Sequence, residues 1–112
     1  MTLTQLTTQM EFEHKKGLGS YYTNAECGTK TASGIKFDDT MFTCATHYGN
    51  YGKFCLVIAN NQYVICQMTD HGPNVPNRII DLSKAAMKQL NGIEKGVVPV
   101  DIYFLGERYE SP

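Results

Sequence analysis

Two runs rich in Val and Ile, Phe54 to Ala59 and Gln62 to Met68, are separated only by Asn60-Asn61, and this arrangement constrains the fold more than any other part of the chain. Asparagine tolerates the positive backbone angles of a two-residue turn, and β-branched residues favour the extended runs on either side. The segment therefore predicts a tight β-hairpin. A two-residue turn also fixes the register: Ala59 faces Gln62, Val57 faces Val64 and Cys55 faces Cys66. Facing Cβ atoms lie about 4.5–5.5 Å apart, a little beyond disulfide geometry, and this is a hydrogen-bonded pair, the wider of the two kinds. A Cys55–Cys66 bridge formed by modest adjustment and two buried free thiols both fit that register.

The rest of the chain reads as further short strands around a single helix. Tyr21 to Thr23, Met41 to Ala45, Arg78 to Ile80 and Val97 to Leu105 have strand character, and Asn24 to Lys36 is a long loop of Gly, Ser and Thr. Leu82, Ala86 and Leu90 recur at helical spacing, so a helix is expected from about Asp81 to Leu90, stopped by Asn91-Gly92. Many short strands with one helix suit a small closed barrel, which leaves no free sheet edge. Residues 1–16 read as an N-terminal extension with weak helical spacing at Leu3, Leu6 and Met10, a frayed arm or a docking segment for a protein partner. The domain proper is expected over 17–112.

With 10 basic and 11 acidic residues, the formal charge is −1 and no long run of one sign occurs. A nucleic-acid partner, which needs a basic face, is therefore not expected. Cys27, Cys44, Cys55 and Cys66 contain no Cys-x-x-Cys, so neither a zinc site nor any other cofactor is expected. No stretch reaches membrane-spanning length. The threonine-rich start lacks the basic and apolar regions of a secretory signal, so exit from the cell by lysis or inside a virion is expected rather than secretory export. Seven Tyr and five Phe without Trp supply rings for the core and for stacking on sugars; Tyr21, Tyr22 and Tyr48 are the candidate platforms.

Two blocks carry the candidate chemistry. Thr69-Asp70-His71-Gly72-Pro73 sets a carboxylate beside a Gly-Pro turn at a strand end. Arg78 to Ser83 reads as a brief strand reaching a second carboxylate, Asp81, at the start of the helix. Carboxylates held by adjacent fixed elements are what acid–base work on a sugar requires. Spacing alone favours the commoner use of such residues, with Asp70 forming a turn and Asp81 capping a helix. The expected site is one shallow groove holding Asp70 and Asp81, lined by His71 and Tyr48.

These blocks, with Gly19 to Tyr22, Thr31-Ala32-Ser33-Gly34 and Gly96 to Val100, resemble the domain of the rare lipoprotein A and expansin family in order and spacing. The resemblance runs from Gly17 to Leu105. It implies a mainly β fold, a six-stranded double-psi β-barrel with one main helix, that acts on peptidoglycan or related glycan strands. Lytic members of that family place a glutamate directly after the Thr-Ala-Asn-Gly loop and a histidine at the end of a Thr-Ala-Ala-His motif. Here those positions are Ile35 and Thr46, with His47 one residue along, on the opposite face if the strand continues. Of the family's catalytic positions only Asp70 is kept, and it is paired, as in expansins, with Asp81. The resemblance therefore implies a catalytically degenerate glycan-binding or remodelling domain. If active, it would be a lytic transglycosylase using Asp70 as acid and base. A non-catalytic protein-docking module, such as a phage virion component or a protease-inhibitor-like barrel, is the alternative.

Overall fold

The computed structural model describes residues 13–22, 40–48 and 52–105. Six strands, β1 (Glu13–Tyr22), β2 (Thr43–Ala45), β3 (Phe54–Ala59), β4 (Gln62–Asp70), β5 (Arg78–Ser83) and β6 (Val98–Phe104), close into a barrel in the order β1-β5-β2-β4-β3-β6. The pairs β1/β5 and β2/β4 are parallel and the other four antiparallel. The expected small barrel of short strands is what forms. No helix among the described residues is long and apolar enough to cross a membrane.

The hairpin is built as its sequence dictates. Asn60 and Asn61 both adopt positive φ, 52° and 60°, and the strands pair from Ala59 with Gln62 to Cys55 with Cys66. Along β6, Val98, Val100, Ile102 and Phe104 point inward and alternate with more exposed residues, the period-2 pattern of a half-buried strand. Pro99 falls on an exposed position of that strand, next to its first residue, where a missing N–H is tolerated.

Two expectations need correcting. The opening strand is much longer than Tyr21 to Thr23. It starts at Glu13, and residues 13–16 pair with β6 instead of forming a frayed or helical arm; the rest of that arm, 1–12, lies outside the described residues. The helix, α1, spans only Lys84–Gln89. Asp81, Leu82 and Ser83 continue β5, because each finds a strand partner in Ser20, Tyr21 or Tyr22 of β1. Asp81 is therefore no cap. Ser83 takes that role, its Oγ accepting from the Ala86 N–H at 3.2 Å. The stop after Leu90 stands: Asn91 turns to φ 56°, and Asn60 Nδ2 donates to the free Leu90 carbonyl at 2.9 Å.

The barrel interior is filled by Val57, Val64, Met68, Ile80, Leu82, Val98, Val100 and Ile102, with Met87 and Leu90 of the helix segment closing one side. Gly19 is needed where β1 crosses this core, since a Cβ there would lie 3.0 Å from Val100 Cγ1 and 3.2 Å from Ile80 Cγ2. Three buried cysteines complete the packing. Cys55 lies opposite Cys66 as expected, but no bridge joins them; both are free thiols. The hydrogen-bonded register holds their Cβ atoms wider than a disulfide prefers, and Cys55 Sγ instead lies 3.6 Å from Cys44 Sγ. Its hydrogen bond with Cys44, together with burial, pushes the Cys55 thiol well above its ordinary value. For Cys44 the bond with Cys55 acts in the opposite sense and is outweighed by that with Cys66 and by burial.

Candidate functional site

The three-residue strand β2 is the organising element of the site. It lies between β4 and β5, and its last residue, Ala45, pairs with Asp70 on one side and with Asp81 on the other. The two carboxylate positions therefore flank one alanine. Two strand spacings put their backbones about 9.5 Å apart. Both residues are partly exposed, so solvent and ligand can reach them.

Each carboxylate is oriented by a local contact. Asp70 Oδ1 accepts from the His71 N–H at 2.9 Å, a turn-forming bond that fixes the side chain at the strand end. Asp81 Oδ1 accepts from Ser20 Oγ on β1, its register partner. The Gly72–Pro73 bond is cis and turns the chain back over the end of β2. There His47 Nε2 donates to Pro73 O at 3.2 Å and Asn74 Oδ1 at 3.1 Å, and its ring stacks on that of His71 at 5.9 Å.

Thr46, which the resemblance sets against the histidine of the lytic members, is 2% exposed. Its N–H donates to Asp70 O at 3.1 Å and its Oγ1 to Ile79 O at 2.9 Å, so it ties the two carboxylate-bearing strands together and has no face for a ligand. His47 enters the site by a route that strand alternation does not predict. The strand ends at Ala45, and the bend that follows releases His47 from the alternating rule. Ser20 is the other residue that sequence spacing missed; only the β1/β5 register could have revealed it.

The proposed aromatic platforms separate. Tyr22 is 6% exposed and packs with Ala45 beneath the carboxylates, so it supports the site from inside and cannot stack on a ligand. Burial, reinforced by Cys44 and Asp70, pushes its phenol far up, while Thr43 and Thr69 pull the other way. Tyr21 is half-buried against the core. Tyr48 is exposed, but its ring leans on Phe104 at 6.4 Å and carries Lys15 Nζ at 5.2 Å. The Thr31-Ala32-Ser33-Gly34 loop and Ile35 lie outside the described residues.

Comparison with known proteins agrees with the barrel fold. The family model described as "Lytic transglycolase" matches residues 14–102. A protein of Aquifex aeolicus named "Probable endolytic peptidoglycan transglycosylase RlpA" is 39% identical over 88 residues, which are 77% of this chain and 39% of that protein. The chain thus spans about two fifths of that relative. Among solved structures, the Clavibacter michiganensis expansin superposes with a TM-score of 0.72 at 17% identity, over 89% of this chain and 54% of the expansin. A mutant of that expansin, solved in complex with cellohexaose, gives 0.71 at 16% identity, again over 89% and 54%. The Streptomyces papain inhibitor gives 0.69 at 23% identity over 82% of this chain and 94% of its own. These likenesses establish the barrel, and the extent of the family match establishes kinship: the chain belongs to the lytic transglycolase family of double-psi β-barrels.

Proposed function

We propose that this domain works on cell-wall glycan by binding peptidoglycan strands across the row Asp70–Ala45–Asp81, and that cleavage is slow or absent. The observation that carries the reading is the pairing of Ala45 with both carboxylate positions, which offers two acceptors on one row to sugar hydroxyls and N-acetyl groups. Kinship with peptidoglycan transglycosylases and the cellohexaose complex of the expansin support glycan as the ligand class. Cleavage through Asp70 would need it to protonate the glycosidic oxygen as that bond breaks. As carboxylate it would then take the proton from the substrate's own hydroxyl as this closes on the anomeric carbon, with no water consumed. Ile35 can neither donate a proton nor stabilise developing positive charge, and Thr46 is committed to the Ile79 carbonyl. Losing one acid–base group typically removes about 10²–10⁴-fold in rate. The relatives named above are bacterial proteins and lend no support to a phage origin.

The test compares native protein with Asp70→Asn on purified sacculi, following pelleted protein and released anhydro-muropeptides. Sacculus binding with little or no release by either protein is the expected result. Robust release abolished by Asp70→Asn would overturn the degenerate part of the reading. Absence of binding would overturn glycan recognition and favour a protein-docking role.

A further inference from the structure

A second surface, away from the carboxylates, has the make-up of a sugar-binding site. Phe42, Gln62, Tyr63, Val64, Ile65 and Gln89 line a groove of about 330 Å³ between the outer face of β4, the turn that precedes β2 and the last turn of α1. Phe42 is 46% exposed and Tyr63 50%. Aromatic side chains left in solvent beside one another offer a ligand an apolar face to stack on.

The groove is also built to hold its shape. The Phe42 carbonyl accepts from the Gln67 N–H at 3.0 Å. The preceding Met41 carbonyl accepts from Ser83 Oγ at 2.6 Å, so the turn bearing Phe42 is fastened both to β4 and to the head of the helix. Tyr63 sits opposite Ile58 in the hairpin, one of the most firmly specified parts of the fold. Two rings on fixed backbone cost little conformational entropy when a ligand settles on them.

The chemistry of the lining selects the occupant. Among the described residues, none of the six that line the groove is acidic or basic, in a chain where 19% of residues are charged. Ring faces, with the primary amides of Gln62 and Gln89 at the margin, match a neutral ligand that has apolar C–H faces and a rim of hydroxyl and N-acetyl groups. Each amide offers both donors and an acceptor, as such a rim needs. We infer that this groove is an anchoring subsite for neutral N-acetylated glycan, distinct from the Asp70–Asp81 row. Tyr63 and Asp70 stand seven residues apart on β4, about 23 Å along an extended strand. The inference rests on the glycan reading given above and adds to it a place where glycan is held without being acted upon.

The experiment maps the backbone amide signals of isotope-labelled full-length protein during titration with the N-acetylglucosamine hexamer. Native protein is compared with Phe42→Ala, Tyr63→Ala and Asp70→Asn, and sacculus pelleting is run in parallel. Hexamer-induced shifts at Phe42, Tyr63 and Gln89 are expected, with affinity weakened about tenfold by either alanine variant. Those shifts should persist in Asp70→Asn. If the hexamer moves only signals around Asp70 and Asp81, and both alanine variants bind like native protein, the anchoring subsite is refuted while the proposed function stands. If neither hexamer nor sacculi bind, both fail. Groove signals that move with protein concentration in the absence of sugar would assign the surface to a second copy of the chain and overturn the inference.

Discussion

Thr46 acts as a fastener: its hydroxyl donates to Ile79 O and receives the Tyr48 N–H at 3.4 Å, while its own N–H holds Asp70 O. Thr46→Val keeps the shape and deletes the hydroxyl, leaving the Ile79 carbonyl without that donor. The expected loss is about 1–3 kcal/mol of folding stability, read from the urea midpoint, with sacculus binding per folded molecule preserved. A variant as stable as native protein would show that the hydroxyl contributes nothing. The sequence identified Asp70 as exposed at a strand end, because the Gly-Pro turn beside it is a local signal. It did not reveal Ser20 beneath Asp81 or His47 beside His71. Those meetings depend on pairing between segments 61 and 24 residues apart, which no local pattern encodes.

At the scale of elements, legibility follows the range of the forces involved. The hairpin could be read because two asparagines specify their turn without help from the rest of the chain. The boundary between β5 and α1 could not, because Asp81, Leu82 and Ser83 are drawn into strand by β1, which lies more than fifty residues earlier. Leu82 belongs to the barrel core, so the helical spacing it shared with Ala86 and Leu90 was coincidental. Ser83 joins the elements: its buried hydroxyl caps α1, donates to Met41 O, and accepts from the Thr43 N–H at 3.3 Å. Ser83→Ala should therefore cost about 2 kcal/mol, the upper end for a lost cap. It should also shift the amide signals of Met41 to Thr43 as well as those of the helix. Changes confined to α1 would mean that the link to β2 is unimportant.

The barrel as a whole is closed, and among the described residues it buries four neutral acids, three in its core and Tyr22 beside Ala45. Cys44, Cys55, Cys66 and Tyr22 all hold their protons more tightly when folded than their ordinary values of 9.0 and 10.0 would allow. Above pH 9 the unfolded chain releases protons that the folded chain retains. Stability contributed by the buried neutral forms is thus fully present below pH 9 and falls as pH rises beyond it. Urea midpoints measured from pH 7 to 10.5 should stay level as far as these groups are concerned up to about pH 9 and then decline; an unchanged midpoint at pH 10.5 would contradict their burial as neutral groups.

Closure has one more consequence. Glu13, the first residue of β1, pairs with Phe104, the last residue of β6, so the polypeptide enters and leaves the barrel side by side. Two such neighbouring points behave like the prongs of a plug. The domain can be seated in the surface loop of another protein without pulling the host's ends apart, and a short splice from the end of β6 to the start of β1 would let the chain be opened elsewhere, at Asn60-Asn61 for instance, with every strand keeping its neighbours.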